Sequence, residues 1–266
     1  MEEPQHTRDP LRGFFSACGV TVMLAETPQN RFAEGVAVEE PSFDDMPLAD
    51  SDDWVDEPAP AVEDEAVHAA REVARTAPDL AALHQALARF DGCPLKALAR
   101  STCHGEGPVG APIMFVGEAP GRDEDEAGRP FVGRSGQLLE KMLAAIGMTR
   151  EAVYISNVIP WRPPANRTPS PIETATCEVF VRREIALVRP KVLVALGGAA
   201  AKTLFSTDTG IMRQRGNWVR FDTGDGEVDA VAMFHPAYLL RTPGEKRRAW
   251  QDLLSIRRKL KELGAL

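Results

Sequence analysis

The sequence is poor in cysteine and has no long apolar run. Its 266 residues include four cysteines, none in C-x-x-C spacing: Cys18, Cys93, Cys103 and Cys177. Scattered cysteines of this kind predict reduced thiols rather than a disulfide framework. No run approaches the roughly 18 apolar residues of a membrane-spanning helix, and MEEPQHTRDP at 1–10 lacks the basic and apolar regions of a signal peptide. We therefore expect a cytoplasmic protein that does not enter a membrane.

Two common nucleotide-binding motifs are also missing. The stretch GGAAAKT at 197–203 superficially resembles a phosphate-binding loop, but it lacks the G-x-x-x-x-G-K-[ST] spacing. No G-x-G-x-x-G precedes a predicted helix, so a dinucleotide site is a poor fit. A nucleotide-handling hydrolase would need a metal-ligand spacing that the sequence does not show.

Acidic residues are concentrated in the first quarter of the chain. Residues 1–66 contain 3 Lys and Arg against 17 Asp and Glu, a net charge of −14, whereas residues 67–266 contain 28 against 22, a net charge of +6. The acidic, proline-punctuated stretch 35–66 predicts a disordered linker, and the pattern after Asp9 predicts a short helix at 10–18. A mildly basic module is typical of a polyanion-binding protein, although such a charge also fits a solvated surface without a partner.

Residues 67–266 alternate between strand and helix patterns. Two helices are expected on either side of Pro78, and PIMFVGEAPG predicts a buried strand that ends in a glycine loop. Further strands are indicated by AVYISNVIPW, KVLVAL, GNWVRFD and VDAVAMFHP, with helices between them and Ser135 as one N-cap. This alternation predicts a single domain over 67–266, with a three-layer α/β/α fold and a mostly parallel sheet.

Three unusual stretches follow predicted strands, after Val116, Ile159 and Phe234. In parallel α/β sheets, ligands bind beyond the carboxyl ends of the strands. The stretches GEAPGRDEDEAGRPFVGRSGQLL, NVIPWRPPANRTPS and HPAYLLR, with VLVALG and KRRAWQDL, resemble the family 4 uracil-DNA glycosylases over about residues 88–260. The resemblance implies a four-stranded sheet and an enzyme of base excision repair. Such an enzyme flips uracil out of DNA and hydrolyses its N-glycosidic bond, leaving an abasic site. We expect a monomer acting on single- or double-stranded DNA that contains uracil.

The resemblance also implies roles for individual residues. His235 would donate a hydrogen bond to the departing base, Asn157 would pair with O4 and N3–H of uracil, and Phe131 would stack on the flipped base. Outside these motifs, each would be interpreted as an ordinary strand-end or core residue. The backbone contacts to uracil would come from Gly117, Glu118, Ala119 and Pro120.

Carboxylates and DNA-contacting residues complete the predicted site. Glu118 and Glu124 are the candidates for placing the attacking water or stabilising the cationic sugar, and Asp125 lies close by in sequence. Apolar wedges and backbone contacts to DNA are predicted at Asn166, Arg167, Tyr238, Leu239, Leu240 and Arg241. The sequence does not decide which of the two leucines points outward.

The sequence departs from the family at the iron–sulfur cluster. Family 4 enzymes typically hold four irons with four cysteines, of which the first pair has the form C-x-x-C-P-L. Here FDGCPL places Phe90 at the first position, and Trp161 stands at the third, while Cys93 and Cys177 match the other two. Two thiolates are too few for such a cluster, so we expect no metal and no cofactor. NRTPS also lacks the basic, histidine-bearing insertion of a covalent-trapping relative, so no trapped product is expected.

Three alternatives stay open at this point. The fold could serve as a non-catalytic DNA- or replication-partner-binding module, with the acidic extension binding an unknown protein. The enzyme could prefer another deaminated base, such as hypoxanthine. Cys103 and His104 could replace the missing cluster ligands.

Overall fold

The computed structural model describes residues 65–266, so the predicted helix at 10–18 and the acidic extension lie outside the described residues. The α-helices are α1 (Glu65–Thr76), α2 (Leu80–Arg89), α3 (Arg122–Ala127), α4 (Arg134–Ala145), α5 (Pro171–Val188), α6 (Gly198–Phe205), α7 (Ile211–Gln214), α8 (Pro236–Arg241) and α9 (Lys246–Glu262). The strands are β1 (Ile113–Gly117), β2 (Tyr154–Asn157), β3 (Val192–Leu196), β4 (Trp218–Asp222) and β5 (Glu227–Met233). Single 3-10 turns occupy Pro94–Leu98, Arg150–Ala152, Pro164–Asn166 and Pro243–Glu245. None of the helices described here is both long and apolar enough to cross a membrane.

The strands form one five-stranded sheet in the order β2-β1-β3-β5-β4. Neighbouring strands are parallel except β4, which pairs antiparallel with β5. The predicted α/β/α class with a mostly parallel sheet is confirmed, while the count of four strands implied by the resemblance is corrected to five. The fifth is β4, whose partly exposed residues suit the open edge of the sheet.

Both faces of the sheet are covered by helices. Along β1, Met114 and Val116 pack in the core cluster that includes residues of α1, α2, α5 and α6. Ile113 and Phe115 alternate with them and pack in the cluster that includes residues of α4, α8 and α9. Burial on both faces explains why β1 and β3 appear in the sequence as continuous apolar runs.

The helix boundaries follow local capping chemistry. The predicted break at Pro78 is confirmed, and Asp79 caps α2 by accepting a hydrogen bond from the N–H of Ala82 (2.8 Å). The predicted N-cap at Ser135 is wrong, because α4 begins at Arg134 with Gly133 as its N-cap. The helix α3 was not predicted, since RDEDEA has the composition of a solvated loop.

Candidate active site

The parallel strands deliver the three motif loops to one edge of the sheet. Gly117 and Asn157 end β1 and β2 and are paired in register. The N–H of Gly197, which follows β3, donates to the carbonyl of Met233 at the end of β5 (2.8 Å). His235 lies two residues further on. The topology thus gathers chemistry that is far apart in the sequence.

A cleft of about 530 Å³ opens at this edge. It is lined by most of the residues predicted for the site: Glu118, Ala119, Pro120, Glu124, Phe131, Asn157, Asn166, Arg167, His235, Tyr238 and Arg241. Gly197 and Gly198 add a wall that the sequence analysis did not assign. The glycine pair directly after β3 was the signal available for it.

Asn157 presents an unpaired acceptor at the end of β2. Its side chain is buried, and its Oδ1 has no hydrogen-bond partner among the described residues. Gly117 approaches it so closely that an added Cβ would overlap Oδ1 and would lie 2.7 Å from Cζ of Phe131. Buried polar atoms nearly always have partners, because an unmade hydrogen bond costs about 1–3 kcal/mol. The arrangement indicates a donor supplied from outside the chain.

His235 is held as a neutral donor. Its Nδ1 accepts a hydrogen bond from the N–H of Ala237 (3.0 Å), so the proton of the neutral ring is on Nε2. Burial, and secondarily the charge of Arg241, lowers the pKa of His235 to about 4. The ring centroid lies 5.4 Å from that of Phe131, with the planes 31° apart. A donor and an aromatic face are therefore next to each other in the cleft.

The two candidate carboxylates occupy different environments. Glu124 is buried, and its carboxylate accepts hydrogen bonds from three backbone N–H groups: Gly121 (3.1 Å), Val132 (3.0 Å) and Gly133 (2.8 Å). These bonds fix the loop rather than present a reactive oxygen. Glu118 is partly buried on the cleft wall, and burial raises its pKa. Of the pair, Glu118 is the better candidate for work on a substrate.

The leucines after His235 are separated by the geometry of α8. Leu239 is 1% exposed and belongs to the core, so its prediction as a DNA wedge is wrong. Leu240 is 36% exposed and points outward. Successive helical residues project about 100° apart, so only one of two neighbours can face the core. Tyr238 lines the cleft and packs against Phe234, with ring centroids 5.1 Å apart.

An ion pair joins the proline-rich loop that contains Asn166 and Arg167 to α5. The guanidinium of Arg167 makes a bidentate ion pair with Glu173 (2.7 and 2.8 Å), which lowers the pKa of that carboxylate to about 2. Asn166 has a left-handed φ of 55° and accepts from Nε of Arg162 (2.9 Å). The pairing holds the loop in place, and Asn166 and Arg167 both still line the cleft.

The cluster positions are filled by a hydrophobic core. Phe90, Cys93, Trp161 and Cys177 belong to one buried cluster, in which the two Sγ atoms lie 3.8 Å apart. The indole N–H of Trp161 donates to Oγ1 of Thr102 (3.0 Å), and Phe90 packs edge-on against Phe180. Within residues 65–266, no group of three or more His, Cys, Asp or Glu side chains could hold a metal ion. The donor set does not fit a four-iron cluster.

Arg150 contacts the loop that carries Phe131, and no sequence motif predicted this contact. Its guanidinium donates to the carbonyls of Pro130 (2.6 Å) and Phe131 (2.8 Å), directly behind the aromatic face in the cleft. The residue lies in the 3-10 turn before β2, outside every motif. No local pattern marks such a long-range contact.

Comparisons with known proteins identify the family of the chain. A model of the uracil DNA glycosylase superfamily matches residues 104–254. The type-4 uracil-DNA glycosylase of Archaeoglobus fulgidus is 43% identical over 168 residues, which are 62% of this chain and 84% of the relative. That of Thermotoga maritima is 43% identical over 162 residues, 59% of this chain and 80% of the relative. That of Pyrobaculum aerophilum is 38% identical over 180 residues, 66% of this chain and 91% of the relative. The predicted resemblance is confirmed, and the chain belongs to the uracil-DNA glycosylase superfamily and, within it, to the type-4 family.

Proposed function

We propose that this chain removes uracil from DNA by hydrolysing the N-glycosidic bond. The observation that carries the proposal is the buried, unpaired Oδ1 of Asn157, which faces Gly117 next to the ring of Phe131, with both residues lining the cleft. The names of the type-4 relatives point to the same reaction.

Asn157 supplies the complement of one edge of uracil. Its Oδ1 accepts from N3–H and its Nδ2 donates to O4. Cytosine has an acceptor at N3 and a donor at C4, so both contacts become repulsive. Phe131 provides an apolar face for a base that has left the stack. The pocket therefore selects the base by an amide edge and a stacking surface.

His235 supplies a neutral donor for the leaving group. When the N1–C1′ bond breaks, its electron pair stays with the base, and the negative charge spreads over N1, O2 and O4. The Nε2–H of His235 donates to O2 as that charge develops. A neutral, buried donor is already oriented, so it needs no reorganisation in the transition state. His235 acts by hydrogen bonding rather than by transferring a proton, because its low pKa keeps the ring neutral near pH 7.

Glu118 acts on the sugar side. C1′ becomes electron-poor as the base departs, and a carboxylate beside it stabilises that charge and orients a water molecule. The water oxygen then bonds to C1′, and its released proton balances the uracil anion. The products are free uracil and an abasic deoxyribose. The position of Glu118 on the cleft wall and its raised pKa support this role.

DNA is held by groups around the rim. Leu240 is exposed on α8 and can enter the stack that the base leaves. Asn166, Arg167 and Arg241 line the cleft and are suited to the flanking phosphates and sugars. We propose that a single chain is sufficient for these contacts.

The proposal is tested with a 5′-labelled oligonucleotide that contains one uracil. The chain is incubated with the single strand and with duplexes that place uracil opposite guanine or adenine, and abasic product is revealed by alkaline cleavage. Matched oligonucleotides with cytosine, thymine or hypoxanthine test base preference, and a parallel reaction contains a chelator.

We expect abasic product only from the oligonucleotides that contain uracil. The rate of its formation should be the same with and without the chelator. Excision of hypoxanthine but not uracil would contradict the role of Asn157. Binding to all oligonucleotides without excision from any would favour the non-catalytic module.

A further inference from the structure

Phe131 has a backbone conformation that its side chain disfavours. Its φ is 53°, in the left-handed region that bulky residues rarely occupy. Its carbonyl is pressed against α4, where a Cβ on Gly136 would overlap the carbonyl oxygen of Phe131. The surrounding structure must impose such a conformation, because the residue does not favour it.

Arg150 stabilises this conformation through two hydrogen bonds to the backbone. Its Nη2 donates to the carbonyl of Pro130 (2.6 Å), and its Nη1 donates to the carbonyl of Phe131 (2.8 Å). The planar guanidinium therefore spans two successive carbonyls, which a lysine ammonium cannot do with the same fixed geometry. Glu124 holds the next two residues of the loop, since its carboxylate accepts hydrogen bonds from the N–H groups of Val132 and Gly133.

Two carboxylates hold Arg150 in turn. Nη2 lies 3.3 Å from Oε2 of Glu106, and Nη1 lies 3.4 Å from Oε1 of Glu140. Glu106 is itself fixed to β2, because its backbone exchanges two hydrogen bonds with Ile155 (2.9 and 2.8 Å). The side chain of Arg150 is only 12% exposed. The chain of contacts thus runs from β2, through Glu106 and Arg150, to the loop that carries Phe131.

We propose that Arg150 is a positioning residue for uracil excision, which holds Phe131 in the left-handed conformation that places its ring against the flipped base. The inference rests on the proposed function. In it, Arg150 controls where the stacking ring of Phe131 lies, although Arg150 does not itself line the cleft. Without the two donated hydrogen bonds, the loop can relax toward an ordinary φ, and the ring moves away from Asn157 and His235. Displacements of about 1 Å in a reacting assembly can cost about 100-fold in rate.

The first test compares Arg150→Met with Arg129→Met. Arg129 is the matched control, because its guanidinium binds the same Glu106 carboxylate (2.6 and 3.1 Å) but lies on the exposed side of it. We expect the single-turnover excision rate at saturating enzyme to fall roughly 10- to 100-fold in Arg150→Met. We expect a change of less than about threefold in Arg129→Met and unchanged affinity for uracil-free DNA in both.

A double-mutant cycle separates positioning from a general loss of structure. If Arg150 acts through the ring of Phe131, Arg150→Met should lower the rate by less than about threefold in a Phe131→Ala background. An equal loss in both backgrounds would overturn the inference, as would wild-type activity in Arg150→Met. If Arg150→Met does not fold, Arg150→Lys keeps the charge beside Glu106 and Glu140 and enters the same cycle.

Hydrogen exchange provides a readout that does not depend on activity. The amide hydrogens of Val132 and Gly133 are bonded to Glu124, so loosening of the loop exposes them to exchange. We expect at least about tenfold faster exchange at these two amides in Arg150→Met and no change in Arg129→Met. Unchanged exchange would refute the inference. An inactive wild-type chain would instead refute the proposed function, while the exchange comparison would still decide whether Arg150 holds the loop.

Discussion

Two of the side chains that line the cleft are neutral, although the loops around them are highly charged. Asn157 and His235 offer an amide and an uncharged imidazole, and the burial that lowers the pKa of His235 also removes water from its surroundings. Hydrogen bonds in such a site gain strength from the low local dielectric. Among the charged residues of the first loop, Glu124 helps to build the loop, because its carboxylate accepts three backbone hydrogen bonds.

Removal of either neutral group should abolish most of the activity. We expect His235→Ala and Asn157→Ala each to lower the single-turnover excision rate by at least about 100-fold, since each removes a preorganised hydrogen bond. Circular dichroism and thermal unfolding should show little change in fold. Asn217→Ala is a suitable control, because Asn217 is exposed and bonds only locally, to the carbonyl of Arg213 (2.8 Å). Near-wild-type rates in both site variants would refute the site.

The pH dependence should report Glu118. Burial raises its pKa above the ordinary 4.5, so protonation removes the carboxylate at a higher pH than for an exposed glutamate. The excision rate should therefore fall as the pH is lowered, beginning above pH 4.5. Glu118→Gln should have a lower rate at every pH, and the decrease caused by protonation of Glu118 should be absent. The decrease that remains should occur near the pKa of His235, about 4. An unchanged acid limb in Glu118→Gln would show that another group controls it.

At the scale of elements, the site depends on how closely β1 and β2 approach at their ends. Gly117→Ala would place a methyl group against Oδ1 of Asn157 and the ring of Phe131. We expect it to reduce excision at least tenfold, because both groups must move. Gly210→Ala is the control, since an added Cβ at Gly210 meets no atom within 4 Å. Equal rates for the two variants in the oligonucleotide assay would contradict the close packing at Gly117.

The sequence predicts the elements better than it predicts their contacts. Continuous apolar runs locate the central strands β1 and β3. The motifs at the strand ends locate the site, because strand polarity alone brings those ends together. The helix α3 escapes prediction because RDEDEA has the composition of a solvated loop and its N-cap is Gly121, which has no side chain to mark the start of a helix. Arg150 escapes because its partners lie 19 and 20 residues earlier in the chain. The contacts of Arg150 depend on the tertiary structure, which no local pattern encodes.

Across the whole domain, the cluster positions Phe90, Cys93, Trp161 and Cys177 belong to one buried core. Trp161 is 1% exposed and Cys177 is fully buried in the same core. We expect purified protein to lack the absorbance of an iron–sulfur cluster at about 400 nm and to contain no stoichiometric iron. Cys93→Ala with Cys177→Ala should therefore retain activity and unfold cooperatively. About four irons per chain in anaerobically prepared protein would overturn the prediction.

The charge of the whole chain is divided between its two parts. Residues 1–64 carry 16 Asp and Glu against 3 Arg, whereas residues 65–266 carry 28 Lys and Arg against 23 Asp and Glu. A phosphate backbone is attracted by the second part and repelled by the first, and both interactions are screened as salt is added. The net charge of −8 describes all 266 residues together. Residues 65–266 alone are positively charged and can therefore bind DNA more strongly than the overall charge suggests.

Deletion of residues 1–64 should therefore tighten DNA binding at low salt. The cut precedes α1, which begins at Glu65, so the described elements are kept whole. We expect fluorescence anisotropy with a labelled oligonucleotide to show a lower Kd for the truncated chain at about 50 mM salt and a difference that shrinks toward about 200 mM. A variant of the 266-residue chain with the acidic residues of 35–64 changed to Asn and Gln should behave like the truncated chain, since the effect is attributed to charge. Weaker binding after deletion would show that these residues contact DNA or support the domain, and equal binding at every salt concentration would show that their charge does not reach the DNA.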